Sequence, residues 1–203
     1  LPLNALSVGT AGHRMRRWQA GGWLAGKRRV FSPNQGVRPA DAAVTLVVIH
    51  NISLPPDDFS GDAVEQFFVN RLDPAAHPYF ATIAELQVST HFYIRRSGRV
   101  VQFVGCDRRA WHAGKSCWAG VDNCNDYSVG IELQGNDVEP YTAAQYESLW
   151  EVIDALRMRY PIDALAGHCH IAPGRKTDPG AGFDWCAVRQ RYGMLNLPAE
   201  ITS

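Results

Sequence analysis

Three polar residues stand at or just past short apolar runs: His50 after VTLVVI, Glu132 inside GIEL and His168 after ALAG. Loops diverge where the strands of an open α/β sheet stop, and ligands collect in the crevice left between them. Ten positions beyond His168 comes Asp178, across CHIAPGRKTDPG, whose Pro173, Gly174, Pro179 and Gly180 let the backbone turn sharply enough to bring the two side chains together. With His50 they make a His₂Asp set. Two imidazoles and one carboxylate leave the fourth tetrahedral position of Zn2+ to water, the pattern of catalytic rather than structural zinc. Such a water ionises near neutral pH while the metal polarises a carbonyl. Glu132 has two readings. Burying an unpaired carboxylate is costly, so it is a strand residue facing outward by period-2 alternation, or a general base that takes a proton from water and returns it to a leaving amine. Lys176 is an exposed loop lysine, or it sets an ammonium beside the oxyanion of acyl transfer.

These side chains need a sheet to carry them. Residues 44–50 (VTLVVIH) are β-branched and apolar on both faces, which predicts a buried central strand. Residues 51–61, dense in Pro, Asp and Gly, read as the loop leaving its carboxyl end. A short helix is expected over 63–70 and an irregular excursion over 72–80, where Asp73-Pro74 and His77-Pro78 disfavour helical backbone before each proline. Residues 91–96 and 99–104 alternate around Ser97-Gly98 as a hairpin. Residues 107–126 read as one long loop and 128–133 (SVGIEL) as another strand. Thr142-Ala-Ala-Gln145 is a capping box that opens a helix to about residue 160, with Tyr146, Leu149, Trp150, Ile153 and Leu156 on the stripe facing the sheet. A terminal helix is expected near residues 184–191. The fold class expected is α/β: a single domain with a central mixed β-sheet flanked by helices.

The 203 residues suffice for one domain with its own core, and 46% hydrophobic against 20% charged is ordinary for a globular chain. Twenty Lys+Arg balance twenty Asp+Glu, so no general attraction draws the chain to nucleic acid or anionic membranes. No apolar run approaches the roughly 20 residues needed to cross a bilayer. The basic, Gly-scattered start lacks the continuous apolar stretch of an export signal, so a cytoplasmic location is expected. Residues 1–14 are set aside as an N-terminal extension, flexible or artificial, and residues 15–203 form the domain. The five cysteines form an odd set without a CxxC pair, which fits free thiols, with a Cys117–Cys124 bridge the one alternative.

The strings VVIHNISLPP, DPAAHPYF, VSTHFYIRRSGRVVQFV, RAWHAG, CNDYSVGIELQG and GHCHIAPGRKTDPG resemble, in order, the AmpD-type N-acetylmuramoyl-L-alanine amidases of bacterial wall recycling, over residues 22–189. The resemblance implies a peptidoglycan-recognition-protein-like amidase fold holding one Zn2+ per chain. It implies cleavage of the amide between 1,6-anhydro-N-acetylmuramic acid and L-alanine, with an anhydro-muropeptide as substrate and no obligate protein partner. By motif, the ligands are His50, His168 and Asp178, and the catalytic residues are Glu132 and Lys176. Asn51, Trp111 and Ala172 match cleft-lining positions; Asn51 offers an amide to a carbonyl and Trp111 a flat wall to a sugar face. Where relatives place arginines this chain has Gln87 and Asn123. His170 is kept out of the ligand set, His77 and His91 are read as structural, and His112 as lining the cleft. The rival class, a module that grips muropeptide without cutting it, would announce itself by losing a ligand or the base, and none is lost.

Overall fold

In the computed structural model, which describes residues 17–199, the chain begins with four very short strands: β1 (Trp18–Gln19), β2 (Trp23–Leu24), β3 (Arg28–Arg29) and β4 (Gln35–Val37). Then come β5 (Leu46–Ile52), α1 (Ala63–Phe68), α2 (Pro78–Ile83), β6 (Phe92–Ile94), β7 (Val100–Gln102) and β8 (Arg108–Ala110). Strands β9 (Cys117–Trp118) and β10 (Val121–Asp122) and a 3-10 turn, Cys124–Asp126, lead into β11 (Ser128–Gln134). The chain ends with α3 (Ala143–Arg159), β12 (Ala164–Gly167), α4 (His168–Ile171) and α5 (Trp185–Tyr192). The expectation for residues 1–14 lies outside the described residues.

The main sheet runs β12-β5-β11-β6-β7-β3, parallel throughout except for the β6–β7 hairpin. It is the mixed sheet expected, with the apolar run of β5 second from one edge, paired on both sides by β12 and β11. Alternation sorts the strands' side chains. Val47 and Ile49 of β5, with Val129, Ile131 and Leu133 of β11, join Leu149, Ile153 and Leu156 of α3 in one buried cluster. Tyr146 and Trp150 pack half-buried against the same cluster, so the predicted stripe faces the sheet. The predicted capping box is present at Thr142 and Gln145. On the opposite face, Leu46 and Val48 pack with Ala164, Ala166 and Ile171, and Tyr93 packs with Phe67, Phe68 and Phe103. That second face carries His50 and Glu132.

Four segments hold structure that the sequence pattern does not show. Strands β1 to β4 are two or three residues long, too short for any period to be read. Residues 107–126 hold three strands and a turn, gathered by the buried Arg38 guanidinium, which donates to the carbonyls of Cys106, Asn125, Asp126 and Ser128. The pair His77-Pro78 starts α2 instead of excluding helix: proline occupies the first turn, where its missing N–H costs nothing, and the His77 side chain accepts from Tyr79 N–H. Residues 168–171 form a single helical turn at the end of β12. All five cysteines are free thiols. Among the described residues no helix is long and apolar enough to cross a membrane.

Candidate metal centre and cleft

His50 is the fifth residue of β5, and in the parallel register with β11 it lies directly beside Glu132. His168 follows β12, whose last residue Gly167 pairs with Ile49, so the second imidazole emerges next to the first. Asp178 sits in the loop after α4, drawn back because its carbonyl accepts from Cys169 N–H. Residues that lie 118 and 128 positions from His50 in sequence thus meet it in space.

The Nδ1 atoms of His50 and His168 are 3.0 Å apart, and each is 3.1 Å from Asp178 Oδ2. A tetrahedral zinc with bonds of about 2.0–2.1 Å holds its ligand atoms about 3.3 Å from one another. The three atoms therefore fit a single metal ion. Their electrostatics suit it too. Burial, reinforced by the neighbouring His168, lowers the His50 pKa to about 4, which keeps its lone pair free at neutral pH. Burial opposes ionisation of Asp178, but the adjacent His168 and His50 imidazoles outweigh it and hold the carboxyl below its usual range.

Glu132 is buried on the same face, and its Oε2 has no hydrogen-bond partner. Burial and the nearby Asp178 push its pKa well above 4.5, while Lys176 pulls it down. The outward-facing reading of Glu132 therefore fails, since its side chain is buried and lines the cleft instead of an exposed sheet face. Lys176 is exposed on its loop yet lines the cleft, with its charge felt at Glu132. The cleft encloses about 690 Å³. His50, Glu132, His168 and Asp178 form its polar side, and Phe67 and Phe68 of α1 contribute to its apolar wall.

Asn51 also lines this cleft, its amide donating to Asp137 Oδ1 at 2.8 Å. Trp111 is half-buried, with its backbone N–H on Ser89 Oγ of the cleft, and Ala172 is buried, its carbonyl accepting from the N–H groups of the cleft residues Arg175 and Lys176. Gln87 and Asn123 are exposed, outside the lining. His112 lines the cleft. His170 turns away: its Nδ1 accepts from Gly167 N–H and its ring packs edge-on to Trp185. His91 is buried, its Nδ1 accepting from Gly130 N–H. Arg38 organises the site's surroundings, a role for which a single arginine in a Gly- and Pro-rich lead-in gives no sequence signal.

Residues 40–181 match the N-acetylmuramoyl-L-alanine amidase family. The chain belongs to that family. Among curated amidases, it is 55% identical over 170 residues to the 1,6-anhydro-N-acetylmuramyl-L-alanine amidase AmpD of Citrobacter freundii, covering 83% of this chain and 91% of the relative. Among solved amidases, the crystal structure of a selenomethionine AmpD derivative superposes with a TM-score of 0.81 at 54% identity, covering 84% of this chain and 96% of that one. The Escherichia coli amidase AmiD, in complex with its substrate anhydro-N-acetylmuramic acid-L-Ala-D-gamma-Glu-L-Lys, gives a TM-score of 0.57 at 30% identity, over 80% of this chain and 63% of that one.

Proposed function

We propose that this amidase is a zinc-dependent hydrolase of the amide bond between 1,6-anhydro-N-acetylmuramic acid and L-alanine, acting on muropeptides in the cytoplasm during peptidoglycan recycling. One observation carries the reading: His50 Nδ1, His168 Nδ1 and Asp178 Oδ2 converge within 3.1 Å beside a buried carboxylate that has no partner of its own. The likeness to AmpD and the anhydro-muropeptide held by AmiD support the substrate.

His50, His168 and Asp178 would hold the ion, and zinc when bound supplies a Lewis acid that polarises a carbonyl and acidifies water. Glu132 accepts the proton of the attacking water as its oxygen bonds to the lactyl carbon. It then delivers that proton to the alanine nitrogen as the C–N bond breaks, leaving a lactyl carboxyl and a free peptide amine. Opposed influences suit this double duty: burial favours the protonated form, which can give a proton, and Lys176 the ionised one, which can take it. The Lys176 ammonium faces the negative charge that develops on the carbonyl oxygen. Asn51, anchored by its amide to Asp137 and Tyr141, lines the cleft where the substrate binds.

The test is release of the peptide from an anhydro-muropeptide, followed by mass spectrometry. Turnover is expected to stop with a strong chelator and return with Zn2+, and Asp178→Ala is expected to lose zinc to dilute chelator that leaves the parent protein loaded. Full turnover in the chelated protein, or binding of the muropeptide without any cleavage by the zinc-loaded one, overturns the reading.

A further inference from the structure

Each imidazole of the cluster has a second nitrogen, and its partner decides which nitrogen carries the proton. For His168 the matter is settled by a carbonyl. Its Nε2 lies 3.1 Å from Ala113 O, which can only accept, so Nε2 holds the hydrogen and Nδ1 keeps the lone pair. His50 has no such carbonyl. Its Nε2 faces Nδ1 of His112 at 2.9 Å, and Nε2 of His112 lies 3.0 Å from Ser128 Oγ. The His112 ring stands edge-on to His50, with centroids 5.0 Å apart and planes at 85°.

Two other residues are shaped around this ring. A side chain at Gly130 would put its β carbon 2.5 Å from His112 Cγ, so β11 needs glycine there for space rather than for backbone freedom. Asn125 Oδ1 accepts from both His112 N–H and Ala113 N–H, at 3.0 and 2.9 Å. One side chain therefore pins the dipeptide that faces the outer nitrogens of both histidines.

We infer that His112 is a positioning residue for the metal centre: it accepts at Nδ1 from His50 Nε2–H, passes its own Nε2–H to Ser128 Oγ, and so presents His50 Nδ1 as a ligand. The inference rests on the metal reading above. Once Nδ1 of His50 is a ligand, the proton must sit on Nε2; His112 must then accept, and being neutral must hold its own hydrogen on Nε2.

The experiment measures zinc affinity of the full chain by competition with a chelator, alongside long-range 15N–1H NMR of the histidines in the zinc-loaded protein. His112→Phe keeps a ring but removes the acceptor, and zinc affinity is expected to fall about 10- to 100-fold. His112→Asn keeps an acceptor near the Nδ1 position and is expected to stay within a few-fold of the parent. A residue that merely fills space predicts the reverse order, and that result overturns the inference. Should both variants fold poorly, the spectrum of the parent protein decides: a hydrogen on His50 Nε2 and none on His112 Nδ1 supports the assignment, and a hydrogen on His112 Nδ1 sinks it. Zinc affinity unchanged by His50→Ala refutes the metal reading. Parent-like affinity in His112→Phe, with His50 still required, refutes this inference alone.

Discussion

Glu132 occupies a place that burial makes expensive for a carboxylate, with one oxygen unpartnered. Its pKa in the fold lies well above the 4.5 of an unfolded chain. In the metal-free protein this group therefore contributes full stability only below about 4.5, and the contribution is lost as pH rises through the folded value. Glu132→Gln removes that dependence. Without metal, the variant is expected to melt above the parent at pH 7, by about 2–4 °C for each kcal/mol relieved, with the difference gone near pH 4; differential scanning fluorimetry checks this. With zinc, the same variant is expected to keep its metal and lose roughly 100- to 10,000-fold in turnover. Equal melting at both pH values, or loss of zinc, would show that the carboxyl acts elsewhere. The residue was legible as unusual because a charge interrupts GIEL, but the choice between an outward strand position and a base was not. That choice depended on whether both faces of β11 are covered, which no local pattern records.

Helix α1 has only six residues, too few to persist alone. It is held by Glu65, whose buried carboxylate accepts from Arg28 on β3 and from Arg95 and Arg99 on the β6–β7 hairpin. Because α1 carries Phe67 and Phe68 to the cleft, this anchor fixes the apolar wall. Glu65→Ala leaves three guanidiniums without their shared acceptor. We expect a loss of about 2–3 kcal/mol by denaturant melts, below the 3–5 of a fully buried pair, since Arg28 and Arg99 are about half exposed. KM is expected to rise while kcat holds, and a fall in kcat alone would count against the anchoring role. Elements with many residues in period, β5, β11 and α3, were readable. The short strands near the amino end and within 107–126 were not: each is too short to show a period, and β3, β4 and β8 pair only with strands distant in sequence.

For the molecule as a whole, the metal centre ties together β5, the end of β12 and the loop carrying Asp178, so an ion bound there holds distant chain segments in register. Zinc at about a thousand times its dissociation constant is expected to add about 4 kcal/mol, a rise of roughly ten degrees in Tm for a domain of this size. The rise should vanish in His50→Ala, and a rise that persists there would place the ion elsewhere. The sequence determined the inventory: a His₂Asp set, an acid in an apolar strand, a helix with its cap, and a family likeness. Those follow from residue type and near-neighbour spacing, which covalent order fixes. Only the tertiary structure decided that three candidate ligand atoms meet within 3.1 Å and that Glu132 is enclosed. Those outcomes depend on parallel strand register and on packing across more than a hundred residues, interactions for which the chain carries no local signal.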